Sequence, residues 1–155
     1  MLKNLIRTAR PYQYIKNLFI FLPAFFAFEL NDIDIFFNLI LSFISFSMIA
    51  SAVYLTNDWL DRHEDILHPI KCTRPIASGK IGPMQAFIFL IFLLTAGSLL
   101  AWYVSVNVLL LVSTYLIINI LYSFKLKHVA IIDVCIISIG FVLRLFVGSE
   151  AGEIY

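Results

Sequence analysis

Four residues in the run NDWLDRHED have the types and spacing for metal–phosphate chemistry: Asn57, Asp58, Asp61 and Asp65, directly after the apolar stretch FFNLILSFISFSMIASAVYL. On a helix advancing about 100° per residue, Asp61 and Asp65 lie within about 60° of Asp58, and Asn57 closes a face about 100° wide. Glu64 falls to the edge of that face and Leu60 opposite it. Three like charges on one face repel, and a divalent cation relieves the repulsion. Mg²⁺ prefers oxygen ligands and commonly takes one or two carboxylates together with substrate phosphates. It can then neutralise charge on a phosphate-bearing substrate. The plainer reading is a solvated helix end, with Asp61 or Asp65 paired to Arg62 or a nearby lysine. The neighbours favour chemistry: His68, Lys71, Arg74 and Lys80 follow within one loop, and Ser78-Gly79 adds hydroxyl and backbone donors. Acids to hold a metal, followed by bases to hold phosphate oxygens, suit a phosphate-ester substrate.

A second polar stretch, RPYQYIKN, opens the first apolar segment. Pro11 suits the first position of a helix, and an α-helical register places Arg10, Gln13 and Asn17 within about 60° of one another. Lys16 alone reads equally well as a side chain snorkelling to head groups; Asn17 lies deeper and has no chain to snorkel with. Asp133 and Arg144 sit eleven residues apart on one face of the last apolar segment. Each needs a partner from another helix, in a structural or a functional role. His63, His68 and His128 lack metal-ligand spacing, and Cys72 and Cys135 form no CxxC, so neither a zinc site nor a disulfide framework is expected.

The elements that must position these residues are membrane spans. The chain has 155 residues, is 61% hydrophobic and only 14% charged, with a mean hydropathy of +0.94. About a quarter charged would be usual for a soluble domain. Segments long enough to span run from Tyr12 to Phe28, Ile35 to Leu55, Met84 to Val104, Val106 to Tyr122 and Ala130 to Gly148. The class is all-α, a polytopic membrane helical bundle, with residues 1–155 in a single membrane domain. Ten of the eleven Lys and Arg residues fall on one side of these spans; Arg144 is the exception. The positive-inside rule makes that side cytoplasmic, with the N-terminus and NDWLDRHED on it. Trp59, Trp102 and several tyrosines fit interfacial belts. The net charge of +1 gives no reason to expect nucleic acid. The basic N-terminus has no small-residue cleavage site after it and reads as mature protein rather than a signal peptide. The end, GSEAGEIY, follows an apolar span so closely that it reads as a cut.

The pattern Asn57-Asp58-x-x-Asp61-x-x-x-Asp65 resembles the first aspartate-rich motif of the UbiA superfamily of intramembrane prenyltransferases. Three further stretches, RPYQYIKN, HPIKCTRPIASG and YSFKLKH, are similar to the decaprenyl-phosphate phosphoribosyltransferase branch of that superfamily. The resemblance covers essentially the whole chain but about half the family's length. It implies a nine-helix fold of which five helices are present here, with the second polar motif falling beyond them. It further implies Mg²⁺ held by Asp58, Asp61 and Asp65, with Asn57 orienting metal or substrate. Arg10, Lys16, Asn17, Lys71 and Arg74 would contact substrate, the lysines and Arg74 through phosphate oxygens, and Lys127 and His128 would close the site. The implied reaction moves 5-phosphoribose from phosphoribosyl diphosphate to a polyprenyl phosphate lipid in the bilayer.

Three alternatives compete. A prenyltransferase acting on an aromatic acceptor shares the metal motif. A CDP-alcohol phosphotransferase would show DG and AR pairs beside the acids, and neither is here. A transporter or assembly subunit would place its ionisable groups near the midplane, whereas nearly all polar chemistry here lies on one rim.

Overall fold

The computed structural model describes residues 2–123 and 130–154, so Lys127 and His128 lie outside the described residues. Helix α1 (Leu2–Ala9) leads into a 3₁₀ segment, Pro11–Phe21, which continues as α2 (Leu22–Phe26). Then follow α3 (Ile33–Leu60), α4 (Arg62–Leu67), a short 3₁₀ turn (Lys71–Thr73), α5 (Pro83–Val104), α6 (Val106–Leu121) and α7 (Ala130–Ala151). No strand occurs among the described residues. Helical structure forms over each of the five expected segments. Three helices are long and apolar enough to cross a membrane: Ile33–Leu60, Pro83–Val104 and Ile132–Ala151. Val106–Leu121 is apolar but shorter.

Local chemistry sets the helix starts. The Asp32 side chain accepts from the backbone N–H groups of Asp34 and Ile35, capping α3. Ser105 caps α6 by accepting from Val108 N–H. Pro83 occupies the first turn of α5, and Gln85 accepts from Gly82 N–H. The first span differs from expectation. Its winding changes at Leu22 from 3₁₀ to α, and Pro23 sits in the first turn of α2. A proline there costs no hydrogen bond, so it marks a junction rather than a kink within one α-helix.

Helix α3 is the centre of the bundle, packing along α5 and also meeting α1, the first span, α6 and α7. Ile20, Leu39, Phe46, Ile49, Val112 and Val147 form the heart of the core. Because lipid is as apolar as leucine, helices in a bilayer associate through close packing and polar contacts. Both occur here. Gly148 lies so near the first span that a Cβ on it would be 1.9 Å from the Ile20 carbonyl oxygen. Ser45 donates to Gly97 O at 2.7 Å. The Asn17 amide donates to Ser47 Oγ at 2.8 Å, and Tyr14 and Ser51 join hydroxyl to hydroxyl at 2.8 Å. The outer surface is apolar, with Phe36, Phe37, Phe87, Phe92, Leu110 and Ile117 exposed as a lipid-facing bundle requires.

Candidate active site at one end of the bundle

The last turn of α3 carries Asn57 and Asp58. The chain bends slightly at Asp61 without breaking the ladder: Asp61 N–H donates to Asn57 O and Asp65 N–H to Asp61 O, each at 2.9 Å. The near-helical register therefore persists into α4 and brings Asp58 and Asp65 together. Both are only 2% exposed. Two buried carboxylates side by side need compensating charge, and three cations supply it. Arg10 Nη2 is 2.5 Å from Asp58 Oδ1. Arg74 Nη1 lies 2.7 Å from Asp65 Oδ2 and 3.2 Å from Asp58 Oδ1, so it spans the pair. Lys71 Nζ stands 4.0 Å from Asp65 Oδ1.

Two local structures deliver these bases. Arg10 has a left-handed backbone (φ 54°, ψ 57°) between α1 and Pro11. That conformation is unfavourable for a residue with a Cβ by about 1–2 kcal/mol; its guanidinium is held by Asp58 and lies 5.1 Å from the centre of the Tyr54 ring. Arg74 and Lys71 come from the loop between α4 and α5. That loop is anchored by Ile76 and Ile81, which are buried against Leu55 and Ala86. His68 Nδ1 accepts from the N–H groups of Ile70 and Lys71, shaping the turn that presents Lys71. Gly79 supplies the positive φ of 70° needed farther on.

Asn57 and Asp61 face another way. They line a small recess with Tyr122 and Ser123, where Ser123 donates to Asn57 Oδ1. Glu64, at the edge of the acidic face, is exposed. No three Asp, Glu, His or Cys side chains converge on one metal position among the described residues. The donor chemistry nevertheless suits Mg²⁺, which takes one or two carboxylates and fills its other positions from water and phosphate. Asp58 and Asp65 are such a pair.

Of the residues singled out from sequence, Arg10, Asp58, Asp65, Lys71 and Arg74 come together. Lys16 and Asn17 lie deeper. The shared face expected for Arg10, Gln13 and Asn17 does not form, because in a 3₁₀ winding residues three apart eclipse; Gln13 then aligns with Lys16, and Asn17 turns into the core. Asn17 is buried and accepts from Arg144 Nε at 2.8 Å. Asp133 accepts from Tyr122 Oη. Both intramembrane charges thus find partners on other segments, as expected. Lys16, Asp133 and Arg144 line one cavity of about 280 Å³ with Tyr54, Tyr115 and Asn119. Sequence reading missed the tyrosines of that cavity. Tyr54 carried a usable signal: it stands four residues before Asp58, on the same face of α3.

Comparison with known proteins gives the family. Residues 17–153 match the UbiA prenyltransferase family. The chain is 33% identical over 158 residues to a decaprenyl-phosphate phosphoribosyltransferase of Mycolicibacterium smegmatis, covering 99% of this chain and 50% of that protein. It is 31% identical over 159 residues to one of Corynebacterium glutamicum, covering 97% and 47%. It is 27% identical over 145 residues to the nodulation protein NoeC of Azorhizobium caulinodans, covering 94% and 47%. The chain spans about half the length of these curated relatives. An all-helical membrane bundle with an aspartate cluster at one end and a family match over most of its length leads to one assignment: the chain belongs to the UbiA prenyltransferase family.

Proposed function

We propose that this chain is the N-terminal part of a membrane-embedded pentosyltransferase that transfers 5-phosphoribose from phosphoribosyl diphosphate to a polyprenyl phosphate. The observation that carries the reading is the pairing of two buried carboxylates with three cations, Arg10, Lys71 and Arg74, at one end of the spans. Such an assembly suits a substrate that brings both a metal and phosphate oxygens. The two similar phosphoribosyltransferases supply the substrate class.

In this reading a phosphate oxygen of the lipid attacks the anomeric carbon of the donor. The bond from that carbon to the diphosphate oxygen breaks, and diphosphate leaves with the electron pair. No protein nucleophile is required. Asp58 and Asp65 would hold Mg²⁺, with Asp61 as the third candidate ligand from the motif. When bound, Mg²⁺ offsets the charge growing on the leaving diphosphate. Arg10, Arg74, Lys71 and Lys16 bind phosphate oxygens, and Asn57, fixed by Ser123, orients the donor. Lys127 and His128, which follow α6 in the sequence, are the remaining candidates for substrate contact. The aspartate end faces the cytoplasm.

The test is incubation of membranes bearing the full-length protein with ribose-labelled phosphoribosyl diphosphate and a polyprenyl phosphate. Label in a phosphate-linked lipid, with diphosphate released, is the expected result; label that stays in the aqueous phase sinks the proposal. The word prenyltransferase in the family's description favours a second reading, prenyl transfer, which we take as transfer from a prenyl diphosphate to an aromatic acceptor. A labelled prenyl diphosphate given with an aromatic acid separates the two.

A further inference from the structure

Arg144 is buried in the middle of α7, 5% exposed, and takes no part in the rim cluster. Its partners are all neutral. Nε donates to Asn17 Oδ1 at 2.8 Å and Nη1 to Gly140 O at 2.6 Å. Phe46, Tyr115 and Phe141 surround the guanidinium carbon at 4.8, 5.4 and 5.5 Å from their ring centres. None of the ion pairs among the described residues involves it, and residues 124–129 contain no Asp or Glu. Ionisable groups inside a membrane protein normally pair or mark a substrate path. Dipoles and ring faces hold this cation in place without neutralising it.

What it faces is a cavity of about 280 Å³. Lys16 enters the same cavity from the first span and likewise makes no ion pair among the described residues. The cavity's carboxylate, Asp133, is engaged by the Tyr122 hydroxyl. The balance is two cations against one occupied acid, inside walls that also include Ile136, Ile137 and Phe141. A charged head with an apolar tail fits such a lining better than a free ion does. Tyr54 joins this cavity to the rim cluster: it lines the cavity, and Arg10 lies over its ring on the way to Asp58.

We infer that Arg144 and Lys16 form a binding site for a phosphate monoester borne by a lipid, namely the head group of the acceptor. The inference rests on the reaction proposed above and adds a division of labour. The donor's diphosphate belongs to the aspartate end, while the acceptor's phosphate is drawn in from the membrane side. Two polyanions are thereby given separate cations.

The experiment measures equilibrium binding to the purified full-length protein in detergent, with no phosphoribosyl diphosphate present. The ligands are geranylgeranyl phosphate, geranylgeraniol and inorganic phosphate. Wild type should bind geranylgeranyl phosphate about tenfold or more tightly than the alcohol, equivalent to one good charge-assisted contact. Arg144→Gln and Lys16→Gln should each lose most of that preference, and Arg144→Lys should keep part of it. Should Arg144→Gln fail to fold, Lys16→Gln carries the test, because Lys16 is exposed and unpaired among the described residues. A folded variant of either residue with the full wild-type preference overturns the site. Competition by inorganic phosphate as strong as by the lipid phosphate overturns the lipid assignment. The two proposals fail separately. A phosphate preference lost in the variants, without phosphoribosyl transfer in wild type, removes the reaction and leaves the site. Transfer with a lipid-phosphate preference indifferent to both substitutions removes the site and leaves the reaction.

Discussion

Arg74 bridges two carboxylates that are each almost wholly withdrawn from solvent. Breaking a buried pair by removing one member is costly, because the other charge stays buried. Arg74→Met leaves Asp65 with only Lys71 at 4.0 Å. With allowance for the partial exposure of Arg74, we expect a loss of about 2 kcal/mol, read as a lower unfolding midpoint in detergent. Arg62→Met is the control: Arg62 donates to Trp59 O and stacks on that indole, outside the cluster, and its loss should be much smaller. Equal midpoints for the two variants would contradict the account. Asn17 is the neutral counterpart, accepting a hydrogen bond from Arg144 Nε and donating one to Ser47 Oγ. Asn17→Leu orphans a buried charged donor and should cost about 1–3 kcal/mol, against about 0.6 kcal/mol for Ser47→Ala, both by the same unfolding assay. The acids and bases of the rim were legible because charges stand out in an apolar sequence. The Asn17–Arg144 contact was not, since it joins residues 127 apart and the α-helical register assumed for the first span points Asn17 elsewhere. The serines of α3 were equally hidden. In SFISFSMIASA they read as minor interruptions of an apolar run, and only the fold shows Ser45, Ser47 and Ser51 bonded between segments.

The spans were legible because hydrocarbon thickness fixes their length. The second was expected over Ile35–Leu55 and forms over Ile33–Leu60; the polar last turn continues the backbone ladder, which hydropathy does not register. The 3₁₀ winding of Pro11–Phe21 was not legible, since the same residues can wind either way and packing decides. That packing gives a sharp contrast between two glycines. At Gly148 an added Cβ meets the backbone of Ile20 at 1.9 Å, so Gly148→Ala must push α7 away from the first span. At Gly97 the nearest atoms are the end of the Ile49 side chain at 3.0 Å, which can rotate. Gly148→Ala should lower the unfolding midpoint by the several degrees typical of overpacking at about 1–3 kcal/mol, and Gly97→Ala by clearly less. The reverse order would mean that the first span and α7 do not meet as described.

At the scale of the whole molecule, basic residues cluster at the end of the sequence spans that holds the aspartates, and the positive-inside rule turns that cluster into a proposed cytoplasmic face. Cys72 sits in the loop that carries Lys71 and Arg74, and Cys135 lies in α7. In a Cys135→Ser background, a membrane-impermeant maleimide should label Cys72 in inside-out vesicles and not in right-side-out ones; the opposite pattern would invert the topology. What sequence could not provide was the way distant segments meet, because Arg10, Asp58 and Arg74 become neighbours only when the first span, α3 and the loop before α5 pack. That meeting is what makes Asp58 and Asp65 the proposed pair for metal and diphosphate. The direct test is transfer of labelled phosphoribose to polyprenyl phosphate by the full-length protein, wild type against Asp58→Asn/Asp65→Asn, at matched levels in the membrane and across a Mg²⁺ titration. The account predicts a loss of about 100-fold or more, not recovered by added Mg²⁺, with unchanged insertion. Wild-type transfer by the double variant would contradict it.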